Sequence, residues 1–177
     1  MTYQIEIYDN GSKEDLRFIL GTKGTKTLFV IGINPSTANE AKPDLTIKRV
    51  MKLAENNSYD SFVMLNLYPQ RTTNPSGLDL IPNANLEKEN LDKICNLLKA
   101  YEGEKTILAS WGETILIRRF LFSSLNAIVE NLSAQRIEWK KIGEFTKSGH
   151  PRHPSRVPYK SDFIDFDITQ YLKRNVI

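Results

Sequence analysis

The chain of 177 residues, 40% hydrophobic and 25% charged, has an ordinary globular composition, so we expect residues 1–177 to fold as a single domain. The chain has a single cysteine, which argues against an internal disulfide. It shows no signal peptide and no apolar run of about 18 residues, which argues against secretion and membrane spans. We therefore expect a cytoplasmic protein without a metal or other cofactor. The 24 Lys and Arg against 21 Asp and Glu leave a net charge of +3, which is too small to indicate nucleic-acid binding by itself.

Buried strands are predicted wherever a short apolar run ends in Gly or a polar residue, because such runs are typical of strands covered on both faces. The predicted strands are 26–32, 61–67 and 106–110, with a last one near 137–145. The alternating Tyr3, Ile5 and Ile7 indicate an added edge strand or hairpin at the N-terminus.

Helices are predicted between these strands, where apolar residues recur at helical spacing. The first begins near Ile47 with Asp44 as its N-cap, the second runs from about Leu86 to Tyr101, and the third covers 117–128. Alternation of this kind predicts an α/β fold, specifically a three-layer α/β/α sandwich with a mainly parallel, roughly four-stranded sheet. Ligands of such sheets bind beyond the carboxyl ends of the strands, so the loops at those ends are the candidates for function.

The loop after the first buried strand carries an amide in a rigid setting. Gly32 allows a close backbone approach, Pro35 keeps Asn34 out of the helical region, and the Asn34 amide offers both a donor and an acceptor. We interpret Asn34 as a group that orients a water or grips a base edge, with Gly32, Pro35 and Ser36 contacting the ligand. The alternative is a turn in which Asn34 and Ser36 only satisfy backbone groups.

Two further loops offer aromatic rings and a cation. Tyr68 is a candidate for stacking on a planar ligand and Arg71 for binding a phosphate or carboxylate, with Asn66 beside them. Alternatively, Asn66 ties down the loop and Arg71 is solvated. Trp111 follows the third strand and is either a stacking platform or a lid on the core.

Both histidines of the chain, His150 and His153, lie in the loop 146–156 together with Arg152 and Arg156. A histidine can donate a hydrogen bond to developing negative charge or transfer a proton near neutral pH. The alternative is an exposed basic loop. Metal binding is not favoured, because the two histidines lack an obvious third ligand.

Several of these segments together resemble one bacterial family, called domain of unknown function 1643. The segments that carry the resemblance are 34–38, 44–46 with Arg49, 66–67, 109–112 and 146–154. Their order and spacing, over about residues 15 to 160, identify the chain as a member. Asn39 and Leu45 stand where the family pattern favours Asp and Pro. The family has no established activity.

The layout is also similar, more distantly, to the uracil-DNA glycosylase superfamily. The segment 32–35 resembles the water-positioning loop of the mismatch-specific branch, and 153–155 resembles the loop that touches the base and enters the minor groove. The chain lacks the Asp-Pro-Tyr-His loop of the most active branch and the cysteines of the iron–sulfur branches. The resemblance therefore implies a nucleobase ligand, in DNA or a nucleotide, more strongly than efficient uracil excision.

Two functions are consistent with these loops. The first is a possible N-glycosylase, which must place a water and donate hydrogen bonds to the departing base. The assigned residues are Asn34 for the water, His150 or His153 for the base, Tyr68 or Trp111 for stacking, and Arg71, Arg152 and Arg156 for phosphates.

The second function is a non-catalytic module that binds nucleotide, nucleic acid or a protein partner. The lack of a carboxylate base in the Asn34 loop favours it. A third possibility, phosphate-ester hydrolysis, would need a metal site that the sequence does not supply.

Overall fold

The computed structural model describes residues 1–175 as one mixed sheet with four helices. Its strands are β1 (Ile7–Asp9), β2 (Ile19–Gly21), β3 (Thr27–Gly32), β4 (Ser61–Asn66), β5 (Lys105–Ala109), β6 (Ile137–Ile142) and β7 (Phe163–Asp165). Its helices are α1 (Leu45–Asn56), α2 (Ala84–Ala100), α3 (Phe120–Asn131) and α4 (Ile168–Asn175). Short 3₁₀ segments occupy Pro75–Gly77, Gly112–Ile117 and Pro154–Arg156.

The sheet has the strand order β1-β2-β4-β3-β5-β6-β7. The central strands β4, β3, β5 and β6 are parallel and correspond to the four predicted ones, whereas β1, β2 and β7 pair antiparallel at the two sides. The sheet therefore has seven strands where the sequence predicted about four. The N-terminal edge strand predicted from Tyr3, Ile5 and Ile7 is present as β1, but it begins only at Ile7. The other two added strands are three residues long, too short to show a periodic pattern.

Helices cover both faces of the sheet, which confirms the α/β class. Alternate residues of β3 point to opposite sides: Leu28 and Val30 pack with α1, while Phe29 and Ile31 pack with α2, α3 and α4. The core is thus divided in two, with one helix on one face and three on the other. No helix in the part of the chain that the structure describes is long and apolar enough to cross a bilayer.

The chain reverses its direction across the sheet at β3. From β3 the connection through α1 leads to β4 on one side, and from β4 the connection through α2 leads to β5 on the other side of β3. The loops after β3 and β5 therefore part from each other and leave a crevice between them. Asn34 and Trp111 lie in those two loops.

Candidate functional site

A cleft of about 950 Å³ lies at the carboxyl ends of β3 and β5. Loops after β3, β4, β5 and β6 contribute to its walls, together with the start of α1 and one residue that precedes β2. The polar residues that line it include Arg17, Asn34, Ser36, Asp44, Glu113, Arg152, His153 and Arg156. A nucleoside-sized ligand fits a cleft of this volume.

Asn34 is held with its amide nitrogen turned into the protein. Its Nδ2 donates to the carbonyl oxygens of Pro35 at 2.8 Å and Thr72 at 3.0 Å, with Gln70 farther away at 3.4 Å. Both amide hydrogens are therefore used, and Oδ1 accepts no hydrogen bond from any described residue. Since Asn34 lines the cleft, this oxygen is an acceptor available to a ligand or water. Gly32, directly before this loop, also lines the cleft, and a Cβ there would lie 2.7 Å from Met64 Cε and 3.3 Å from Asn66 Oδ1.

His153 has a tautomer fixed by its neighbour. The backbone N–H of Ser155 donates to His153 Nδ1 at 3.2 Å, and the Ser155 hydroxyl lies 2.8 Å from the same atom. An N–H group can only donate, so Nδ1 is the acceptor and the neutral ring carries its proton on Nε2. Burial, and then Arg156, lower the pKa of His153 to about 4, against the opposing effect of Asp44. Near neutral pH the residue is therefore an uncharged N–H donor in the cleft.

Two carboxylates share the cleft with these residues. Asp44 is the N-cap of α1 and accepts from Ile47 N at 2.9 Å, and its other oxygen lies 3.3 Å from Ala38 N. Glu113 also lines the cleft and is exposed, and the hydroxyl of Ser148, and then that of Thr146, hold the pKa of this carboxyl below its usual range. The segment 32–37 around Asn34 has no carboxylate of its own, but Asp44, at the end of the same loop, and Glu113 both line the cleft.

His150 lies in the core and is not among the residues that line the cleft. It is 2% exposed, its Nδ1 lies 2.8 Å from Tyr171 Oη, and burial lowers its pKa. Tyr171 Oη in turn accepts from Trp111 Nε1 at 3.1 Å. The Tyr171 hydroxyl thus joins Trp111 and His150 in the core. This arrangement gives His150 a packing role and leaves His153 as the histidine of the cleft.

Trp111 is a core residue, as the second of the two alternatives raised for it held. It is 0% exposed and packs against Tyr171 and Phe166, although it is also among the residues that line the cleft. Its nitrogen is occupied by Tyr171. The ring therefore presents no exposed face on which a ligand could stack.

Four of the predicted ligand contacts lie outside the cleft. Tyr68 is fully buried, with its hydroxyl donating to Asp79 at 2.9 Å and accepting from Asn83 N at 3.0 Å. Arg71 donates to the carbonyls of Leu16, Ser36 and Ala38 and to the Tyr8 hydroxyl. Asn66 and Pro35 are buried, Asn66 at the end of β4 and Pro35 within the Asn34 loop itself. These residues shape the loops and do not face the cleft.

The two predicted cations of the basic loop differ from each other. Arg152 donates to the carbonyl oxygens of Glu144 at 2.8 Å and Phe145 at 3.2 Å, so its guanidinium braces its own loop. Arg156 is exposed at the cleft and makes no side-chain hydrogen bond with the described residues. Arg156 is thus the one of this pair that is free to contact a ligand.

Sequence reasoning missed Arg17 and treated Asp44 only as a cap. Arg17 is 2% exposed and lines the cleft from a segment that precedes β2. No motif announces it, since its burial depends on contacts with distant loops. For Asp44 a signal existed, because it lies within the family-like segment 44–46. Within residues 1–175, no group of three or more His, Cys, Asp and Glu is arranged to hold a metal ion.

Comparisons with known proteins identify a family and nothing more specific. Searches of curated proteins and of solved structures found no match. The resemblance to the uracil-DNA glycosylase superfamily therefore has no support from them. Residues 17–155 match the family described as "protein of unknown function (DUF1643)", and because this match covers most of the chain, the protein belongs to that family.

Proposed function

We propose that the protein binds a nucleobase-containing ligand in the cleft and hydrolyses its N-glycosidic bond. The observation that carries this proposal is the pairing, in one cleft, of an uncharged His153 Nε2–H donor with the unoccupied Oδ1 acceptor of Asn34. A glycosidic hydrolysis needs one group of each kind. The donor stabilises the base as it leaves, and the acceptor orients the water that replaces it.

The reaction balances with these groups. The bond from the sugar carbon to the base nitrogen breaks, and its electron pair leaves with the base. Water adds its oxygen to the sugar carbon, loses one proton, and the base nitrogen is protonated in its place. Asn34 Oδ1 accepts a hydrogen bond from the water, while His153 donates to an oxygen of the base that gains negative charge. Asp44, in the same cleft, is suited to favour the cationic sugar and to receive the water proton.

A non-catalytic binding module is the second candidate, and one observation favours it. The two groups best placed to act on a water are also structural, since Asn34 anchors its loop and Asp44 caps α1. Such residues would be retained even if the cleft only bound its ligand.

The test is to incubate the purified protein with nucleosides, nucleotides and oligonucleotides carrying uracil, hypoxanthine, mismatched or alkylated bases, and to measure released base by chromatography. Release by the wild type, with a loss of about 10²–10³ in turnover for His153→Ala, agrees with removal of one preorganised donor. Asn34→Ala should also lose turnover while ligand affinity changes little. If no substrate releases a base and Asn34→Ala abolishes binding, the cleft is a recognition site and not a hydrolase.

A further inference from the structure

Arg17 is a buried cation without a matching anion. Its side chain is 2% exposed, and among the described residues no carboxylate oxygen lies within 4.0 Å of its guanidinium. Buried charges in proteins are normally paired, because removing an ion from water is costly. An arginine in this state needs another source of negative charge.

A second guanidinium lies against the first. Arg17 Nη1 and Arg71 Nη1 donate to the same carbonyl oxygen, that of Ala38, at 2.9 Å and 3.0 Å. Burial, and then the charge of Arg71, lower the pKa of Arg17 to about 10, so Arg17 is still a cation at neutral pH. Two like charges held on one oxygen make this corner of the cleft strongly positive.

The two arginines differ in their unused donors. Arg71 uses its Nε and both of its terminal nitrogens in hydrogen bonds with the protein. Arg17 uses only Nη1; its Nε is buried without a partner, and its Nη2 donates to none of the residues described. Arg17 lines the cleft, and its Nη2, unlike Nε, is not fully enclosed, so Nη2 is the donor left for a ligand and the charge of the guanidinium acts on whatever the cleft binds.

The nearest acidic group, Asp44, acts on Arg17 only from a distance. It partly offsets the fall in the Arg17 pKa, but its carboxylate oxygens face the backbone N–H groups of Ile47 and Ala38. Those two donors and the positive N-terminal end of α1 already offset part of its charge. Asp44 therefore leaves room for a further anion at Arg17.

We propose that Arg17, backed by Arg71, forms an anion subsite of the cleft that binds the terminal phosphate of a small nucleotide. A guanidinium is suited to phosphate oxygens. The recessed position selects a group at the end of a molecule, because a backbone diester would have to enter and leave the same pocket. The nucleobase part of this inference rests on the proposed function, whereas the anion subsite does not depend on it.

The first test uses inorganic phosphate and the thermal unfolding of the wild-type protein, compared with chloride at equal ionic strength. A ligand that binds only the folded state raises the melting temperature. Arg17→Gln should bind phosphate about ten- to a hundredfold more weakly, as expected for the loss of a charged hydrogen bond. Arg119→Gln, which removes an exposed arginine outside the cleft, is the matched control and should keep the full effect.

The second test compares a nucleoside, its 5′-monophosphate and a dinucleoside monophosphate as ligands of the wild type. The monophosphate should bind best, by at least about tenfold over the other two. If Arg17→Gln does not fold, phosphate binding is followed in the wild type through the NMR signal of Arg17 Nε–H. The chemical shift of this signal should change on addition of phosphate.

Three results would overturn the proposal: no effect of phosphate on the wild type, an undiminished effect in folded Arg17→Gln, or an unmoved Arg17 signal. If the dinucleoside monophosphate binds as well as the 5′-monophosphate, the subsite does not select a terminal phosphate, and a nucleic-acid backbone becomes its ligand instead. A clear preference for the monophosphate without any base release would reject the hydrolase and leave the anion subsite standing.

Discussion

Replacing Tyr171 by Phe tests whether His150 belongs to the core. The hydroxyl of Tyr171 joins Trp111 Nε1 at 3.1 Å and His150 Nδ1 at 2.8 Å, and all three residues are buried. Tyr171→Phe keeps the ring but leaves two buried nitrogens without a partner. Each such group costs about 1–3 kcal/mol, so we expect the free energy of unfolding to fall by about 2–6 kcal/mol.

Urea unfolding followed by tryptophan fluorescence measures this loss, since Trp111 lies beside the substituted residue. For a chain of this length each kcal/mol corresponds to about 2–4 °C in melting temperature, and a loss of 3 kcal/mol therefore to about 6–12 °C. Tyr159→Phe is the control, because Tyr159 is exposed and its hydroxyl makes no hydrogen bond with the described residues. That change should stay within about 0.5 kcal/mol.

A cost of less than about 1 kcal/mol for Tyr171→Phe would contradict this prediction, because the two nitrogens must then find other partners. So would a folded variant that loses ligand binding or turnover to the extent that His153→Ala does. Such a result would give His150 a direct part in the site.

Three other predictions follow from the cleft. The pKa of His153 is lowered from 6.5 to about 4, so between these pH values the unfolded chain binds a proton that the folded protein does not. The free energy of unfolding should therefore fall as the pH drops from about 6.5 to 4, by up to about 3 kcal/mol. Urea titrations of His153→Gln should show a flatter dependence of stability on pH. Gly112→Ala should cost about 1–2 kcal/mol and lower turnover, because Gly112 has a φ of +61° and an added Cβ would lie 3.3 Å from His153 Cβ. Arg156→Ala should weaken binding of an anionic ligand and flatten its salt dependence, whereas Arg152→Ala should chiefly lower stability, as binding isotherms and melting curves would show.

Each of these has an opposite result that would count against it. Wild type and His153→Gln with the same pH profile would mean that His153 titrates normally. If turnover is unchanged in Gly112→Ala, the conformation of the loop after β5 does not affect catalysis. If Arg152→Ala changes the salt dependence as much as Arg156→Ala does, then Arg152 must exchange its hydrogen bonds to its own loop for bonds to the ligand.

The central sheet was predictable because β3, β4 and β5 are buried on both faces and appear in the sequence as apolar runs. The candidate loops were predictable for the same reason, since a polar residue directly after such a run lies at a strand end. Asn34 was found in this way, whereas His153, which shares the cleft with it, was found because both histidines of the chain lie in the loop 146–156. Tyr68 also follows a strand, but its hydroxyl is bound by Asp79 and Asn83, and nothing local shows that it turns inward.

What remained hidden depends on contacts between distant parts of the chain. His150 and His153 are three residues apart and indistinguishable by pattern, yet Tyr171 draws one of them into the core. Arg17 is buried because the loops containing Ala38 and Pro69 close over it. A lone arginine before a strand gives no sign of such an environment, because the loops that create it lie more than 20 residues away.

The three-residue strands at the two sides of the sheet have a consequence for self-association. A long, unpaired strand at the margin of a sheet is a template on which other chains can aggregate, and proteins avoid this with short or charged borders. Here β1 and β7 form those borders, and each carries an aspartate held by a lysine, Asp9 by Lys93 and Asp165 by Lys140. The long apolar strands are thereby kept inside, and an incoming chain would find only a brief, charged ladder to pair with.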